Sequence, residues 1–497
     1  MAFRQIRDIT LGGLAAENDN SLEKYFFENS MFRRAAMGYT KILIGNRGSG
    51  KSAIFRVLAQ KEKEEGSLVE EIVPNDYMYD LLSNSRQFDS NAVWARLGAY
   101  TASWKYVILV TAMKLLHYRH QKSKTHPEHI GKIRTFLKDN EIEHLSTPID
   151  LLVGLLKKFS AVSRVSLDGI HFANAGDKTT QLDKFYRLDH LSGVIPAIDA
   201  LSKETKILIL FDELDHGWDA SDDARQFIAG LFKAANQINQ QFDGIHVLIT
   251  IREEIYHNIP ELYDDAQKIR DIIEHIRWTP EDLKALIAQR IKFALEGVFG
   301  KRIKASNPDI LWEMIFEAAI TEKEIPTYKY IVDRTLCRPR ELIFFVNECL
   351  KIHNVEEKVS PATIRDVEKN YSKNRHEDIA AEFKFQYSGL REIFETFRME
   401  DAQWERGQLE EHWLEIVEGI RRCPEAASWL NAESTPDKFI DALWKVGFLR
   451  AFMRVGKTPT EADEKFFVGY YQQPTLNIAM INHFDIHPMF RAHLGID

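Results

Sequence analysis

The chain has 497 residues, 44% of them apolar and 28% charged, with a formal net charge of -9. That is too much chain for one core, and enough apolar content for two to four domains that each bury their own. The three cysteines, Cys337, Cys349 and Cys423, are odd in number and lack metal-ligand spacing, which argues against a disulfide framework or a zinc site and for reduced thiols in a cytosolic compartment.

The N-terminal MAFRQIRDITLGG has no apolar core of the kind an export signal needs. The longest apolar stretch, WKYVILVTAMKLL at 104–116, is interrupted by Lys105 and Lys114. Neither export nor a membrane span is expected.

In chain order, short β-branched runs at 41–44, 68–73, 206–211 and 245–251 read as buried parallel strands, because both faces are apolar; the second, broken by Glu70 and Glu71, is the weakest. Between them 3.6-residue periodicity predicts helices over 52–63, 91–121, 182–201 and 222–240. Strands alternating with helices imply a parallel α/β sheet. More than 130 residues separate the second and third strands, which predicts a helical insertion over about 75–202. Inside it, HYRHQKSKTHPEH at 117–129 gathers four histidines. Their spacing matches no standard ligand set, so they read as a basic helix end and a polar loop.

From 279 to 353 the pattern is helical throughout, opening on WTPEDLKALIAQRI with Thr279 as cap and Pro280 at the first helical position. The region 372–418 also reads as helical. After it come a loop, a helix near 439–446 and two strand-like runs, GFLRAFMRV and EKFFVGYYQ, across the charged loop GKTPTEADE. Helix, strand, charged loop, strand resembles a winged helix. The segment from His376 onward carries 13 Lys plus Arg against 21 Asp plus Glu. So acidic a segment is a poor general binder of nucleic acid, although Arg421, Arg422, Arg450, Arg454 and Lys457 are candidates for a local basic face.

The chemistry concentrates at strand ends. Gly45, Asn46, Arg47, Gly48, Ser49, Gly50, Lys51 and Ser52 spell G-x-x-x-x-G-K-[ST] between a strand and a helix that continues through Ala53. Glycines let backbone N–H groups turn around phosphate oxygens, Lys51 neutralises charge on the outer phosphates, and the Ser52 hydroxyl ligates Mg²⁺. The strand KILILFDELD ends in Asp212, expected to hold the Mg²⁺ shell, and Glu213, expected to polarise the attacking water. Asp215 either shares that role or caps the following helix. HVLITIREEIY ends in Thr250 and Arg252, where a polar or basic side chain can touch the γ-phosphate. CRPRELIFFVNECL offers Arg338 and Arg340 at a helix start, with Arg340 as the candidate second sensor. An arginine acting across a subunit boundary could be Arg252, Arg270 or Arg340.

Together GNRGSGKS, ILILFDELD, ITIRE, IEHIRWTPEDLKALIAQRI and RPRELIFFVNECL resemble the bacterial STAND and KAP-like P-loop ATPases, relatives of the AAA+ proteins. The resemblance implies an ATPase core over 1–278, a helical lid over 279–371 and a winged-helix-like domain over 372–497. It also implies ATP and Mg²⁺ as ligands, a homo-oligomer, and a switch that controls an effector in trans, as in anti-phage systems. The alternative is a DNA-remodelling ATPase of initiator or transposition type. A small-molecule kinase ranks lower for want of an acceptor pocket.

Overall fold

The computed structural model describes residues 9–74, 93–121, 125–140, 142, 147–155, 191–262, 270–320, 324–352, 358–431, 433–455 and 464–496. Contacts divide the chain into a sheet unit, residues 28–46 with 51–276, and a second unit, residues 1–27 and 47–50 with 277–497.

In the sheet unit the four apolar runs form strands β1 (Ile42–Ile44), β2 (Leu68–Ile72), β3 (Ile207–Phe211) and β4 (Ile245–Ile251), and a fifth, β5 (Ile273–His275), joins them at one edge. The order is β2-β3-β4-β1-β5, and every pairing is parallel. Register sets Leu43 opposite Thr250 and Leu210 opposite Leu248, so β4 lies between the strand that feeds the glycine-rich loop and the strand that ends in Asp212. All five residues of β3 are buried, as a central parallel strand requires. β5 reads Ile-Glu-His and is only half-buried, so it gave no apolar signal in the sequence.

Helices α1 (Lys51–Glu64), α2 (Val93–His120) and α3 (Asp222–Gln241) carry most of the apolar surface against this sheet. The apolar stretch at 104–116 lies inside α2 as core. Trp104 donates from Nε1 to the Phe227 carbonyl at 3.1 Å and sets its ring edge-on to Phe211 at 5.4 Å. The approach of α2 to α3 is close: a Cβ at Gly230 would stand 2.8 Å from the Tyr100 Cβ and 2.9 Å from the Thr101 nitrogen. Only glycine fits there. Among the described residues no helix is long and apolar enough to cross a membrane. Much of the insertion expected at 75–202, including all of the 182–190 part of the helix expected at 182–201, lies outside the described residues.

The second unit has its own core. Helix α4 (Pro280–Phe299) starts as the sequence dictates, with the Thr279 hydroxyl accepting from the Asp282 N–H and Pro280 at the first position, and it stops at Gly300 in the left-handed conformation (φ +61°). The expectation of helix throughout 279–353 needs correction. Two short strands, β6 (Ala319–Ile320) and β7 (Ile325–Pro326), pair antiparallel before α5 (Pro339–Ile352). Two-residue strands are too short to leave a period-two pattern.

The expectation of helix over 372–418 also fails, for a stated reason. Helix α6 (Pro361–Glu382) ends ahead of Gly389, whose left-handed backbone (φ +69°) brings its Cβ position to 2.5 Å from the Ala426 nitrogen. Beyond it lie α7 (Leu390–Glu395), β8 (Gln403–Glu405), α8 (Arg406–Val417), α9 (Pro436–Lys445), β9 (Leu449–Val455), β10 (Glu464–Val468), β11 (His483–Ile486) and α10 (Pro488–Leu494). The strands make an antiparallel sheet in the order β10-β9-β11-β8. This helix–strand–helix–helix–strand–strand succession is winged-helix-like, with one extra strand and a final helix. Lys457 and the charged loop at 456–463 lie outside the described residues. The whole is an α/β fold with a parallel five-stranded sheet, helical additions and a mixed C-terminal region. Cys337, Cys349 and Cys423 are free and buried.

Candidate functional site

The loop between β1 and α1 bends through Gly48 (φ +77°) and Gly50 (φ +97°), conformations that favour residues without a Cβ. In the second unit its carbonyls are tied down one by one. Arg338 donates from Nη1 to the Arg47 carbonyl at 3.3 Å, the Arg340 backbone N–H donates to Gly48 at 3.3 Å, and Trp278 Nε1 donates to Ser49 at 2.8 Å. A Cβ at Gly48 would lie 3.0 Å from that of Arg340. The Ser49 hydroxyl is buried and has no hydrogen-bond partner among the described residues.

In the sheet unit Lys51 turns back on its own loop, donating from Nζ to the carbonyls of Gly45 at 2.7 Å and Asn46 at 3.1 Å. Burial pushes its pKa down, against the pull of Glu254, Asp212 and Asp215; Arg252 nearby adds to the lowering. An ammonium whose partners among the described residues are carbonyls, with three carboxylates at longer range, is poised to turn toward an anion.

The acidic strand end is arranged by its neighbour. Thr250 is buried at 1% exposure, and its hydroxyl donates to Asp212 Oδ1, which also accepts from the Glu213 N–H at 2.9 Å. Thr250 therefore orients the Asp212 carboxylate. Glu213 adopts φ +57°, a left-handed backbone costing of order 1 kcal/mol or more for a residue with a side chain. The turn projects its carboxylate to within 3.5 Å of His216 Nδ1. Arg252 pairs with Asp215, and more loosely with Glu254 Oε1 at 3.7 Å. Asp215 thus serves as the arginine's partner, a role neither of its two sequence readings anticipated.

Glu254 is the residue that sequence reasoning missed. It stands two positions past Arg252 at a helix start, and its only sequence signal was a second acid in "REE" directly after a buried strand. Arg340, the candidate second sensor, turns its Nε to the Leu14 carbonyl at 3.3 Å. Its neighbour Arg338 is the buried one, at 7% exposure, and besides the loop carbonyl it holds Glu382 Oε2 at 2.7 Å. Arg270 is exposed in a short 3-10 turn.

Two members of the basic face suggested for the C-terminal region are engaged in ion pairs. Arg421 binds Glu415 at 2.6 Å and Glu400 at 3.0 Å, and Arg450 binds buried Asp485 through two hydrogen bonds. Arg422 is exposed.

Comparison with known proteins gives three results. Residues 281–380 match the family described as the FunZ-associated C-terminal helical domain. The chain is 25% identical over 396 residues to the transposon gamma-delta 80.3 kDa protein of Escherichia coli strain K12, covering 78% of this chain and 53% of that protein, so it spans about half the length of the relative. Among solved structures it overlaps the ORC2 protein of Aeropyrum pernix in its ADPNP and ADP complexes (TM-score 0.36, 11% identity, 99% of this chain and 96% of that one). It also overlaps the ORC1 protein of the same organism in complex with DNA (TM-score 0.33, 12% identity, 88% and 87%). Overlaps this loose assign no role to any residue.

Proposed function

We propose that the chain is an ATP-binding and ATP-hydrolysing switch. The observation that carries this reading is the pairing of a glycine-rich loop, ending in a lysine held by two loop carbonyls, with Asp212 and Glu213 at the end of a strand one removed from the loop strand. The residues fit a magnesium–triphosphate. The loop amides from Asn46 to Gly50 would cradle the phosphates, Lys51 would exchange its carbonyls for the outer phosphates, and Ser52 and Asp212 would hold the magnesium. Magnesium, when bound, supplies charge neutralisation on the transferring phosphoryl group. Glu213 orients and deprotonates the attacking water, Thr250 keeps Asp212 aimed, and Arg252 or Arg340 reports the γ-phosphate.

The output we propose is control of an effector in trans, as in the anti-phage ATPases whose motifs this chain resembles. Turnover by wild type, Lys51→Ala and Glu213→Gln tests the core. Lys51→Ala loses nucleotide binding, whereas Glu213→Gln binds ATP and turns it over about 10²–10⁴-fold more slowly. Equal turnover in all three removes the reading.

A second output, DNA remodelling in transposition, is favoured by the transposon relative. It needs cations, and Arg421 and Arg450 are already paired. Duplex binding whose affinity falls steeply with salt supports this output; absent or salt-insensitive binding excludes it.

A further inference from the structure

Outside the nucleotide region, three helices of the second unit bring His376 (α6), Glu395 (α7) and His493 (α10) together, with one ligand-capable atom from each lying within 4.8 Å of the others. Glu395 Oε1 is 3.2 Å from His493 Nε2 and 3.5 Å from His376 Nε2. Two nitrogens and an oxygen held at zinc bond lengths around a tetrahedral ion stand about 3.3 Å apart, so the two carboxylate–imidazole separations already match, and the two imidazoles, within 4.8 Å of each other, close on an ion by side-chain rotation.

The second observation is His376 itself. It is 1% exposed, and neither ring nitrogen has a hydrogen-bond partner among the described residues. A buried imidazole left in that condition is destabilising, and a metal bond relieves it. We infer that His376, Glu395 and His493 form a transition-metal site for Zn²⁺ that staples the final helix α10 to α6 and α7. Two imidazoles and one carboxylate suit zinc rather than magnesium or calcium, and leave a fourth position for water.

The surroundings supply the outer support such ligands need. Arg398 holds Glu395 Oε2 from Nε at 2.7 Å and Oε1 from Nη2 at 2.9 Å, with Nη2 also 3.4 Å from His493 Nε2. On metal binding Arg398 keeps Oε2 and yields Oε1 and the imidazole nitrogen. The His493 backbone is fixed separately, its N–H donating to the Ser372 hydroxyl at 3.0 Å and its carbonyl accepting from Arg398 Nη1 at 2.8 Å.

The full-length chain, stripped with a chelator and dialysed, is titrated with Zn²⁺ against a chromogenic competitor and with Co²⁺ by absorption spectroscopy. Wild type is expected to take one equivalent of zinc more than His376→Ala or His493→Gln, and to give an intense tetrahedral Co²⁺ band that both variants lack. Glu395→Gln removes a ligand and weakens binding by at least the roughly 100-fold at the top of the range for losing an outer partner, and Ser52→Ala leaves this equivalent in place. His493→Gln, at a partly exposed position, serves if His376→Ala does not fold. Equal stoichiometry in wild type and His493→Gln, zinc uptake only at millimolar concentration, or an octahedral Co²⁺ spectrum overturns the site.

Discussion

Asp485 in the C-terminal sheet is a buried charge and Lys51 in the sheet unit a half-buried one, and their partners differ in kind. Asp485, 2% exposed, meets Arg450 through Nε at 2.9 Å and Nη2 at 2.6 Å, and Arg491 at 2.7 Å, so its charge is answered on the spot. Burial raises its pKa while the two arginines pull it down. Among the described residues Lys51 has two carbonyls and no carboxylate within ion-pair distance, beside an Asp212 held by Thr250 and a Glu213 in a costly backbone conformation. A charge whose every contact is internal holds the fold together. One supported by weaker, replaceable contacts is kept ready for something else, and the two should answer mutation in opposite ways.

The largest effect that tests this is on stability. Asp485→Ala leaves two arginines buried against a missing partner and is expected to cost about 3–5 kcal/mol in chemical unfolding of the full chain. Lys51→Ala removes a desolvated ammonium and is expected to leave the unfolding midpoint unchanged or slightly raised, while nucleotide binding disappears. A mild Asp485→Ala combined with a severe Lys51→Ala would invert the comparison.

A smaller effect concerns acid. His412 is 2% exposed, hydrogen-bonded to the Thr396 hydroxyl at 2.7 Å and stacked on Phe397 with ring centroids 4.2 Å apart. Burial, helped by Arg421, pushes its pKa down to about 4. The folded state therefore binds fewer protons than the unfolded chain between the ordinary histidine value and that one. Its stability contribution is complete above about pH 6.5 and is lost as pH falls toward 4, amounting to about 3 kcal/mol at the bottom of the window. Unfolding free energies of wild type and His412→Phe from pH 7 to 4 check this. The variant is expected to lose less stability than wild type over that range, and parallel slopes exclude it.

How much of this was legible depended on whether the signal was local. Strand runs such as ILILF and the GNRGSGKS loop carry apolar continuity and glycine spacing within ten residues, so β1 to β4 and the glycine-rich turn between β1 and α1 could be read directly. β5, β8 and β11 are three or four residues long and contain Glu, Gln, His or Asp, so no periodicity marks them. The contacts of Arg338 with Arg47, and of Arg252 with Asp215, join residues 291 and 37 positions apart in sequence, where pattern is silent. The pairing of Arg450 was hidden for the same reason: counting cations along the chain could not reveal that Asp485 lies opposite it in the neighbouring strand. His376, Glu395 and His493 likewise come from three separate helices.

The smallest prediction concerns a device common to both units, where no difference is expected. Ser221 caps α3 by accepting from the Ala224 N–H at 3.2 Å, and Thr279 caps α4 by accepting from the Asp282 N–H at 3.1 Å. Each hydroxyl satisfies one of the amides that a helix start leaves without an intrahelical partner, and each is followed by acids in the first turn, Asp222 and Asp223 in one case and Glu281 and Asp282 in the other. Ser221→Ala and Thr279→Ala should each cost about 1 kcal/mol, and the double variant about the sum, because the two sites share no partner. Unfolding by denaturant in all three variants provides the check. A cost at Thr279 several times that at Ser221 would mean that the start of α4 also holds Trp278 on the Ser49 carbonyl, and that stability and the loop are coupled there rather than separate.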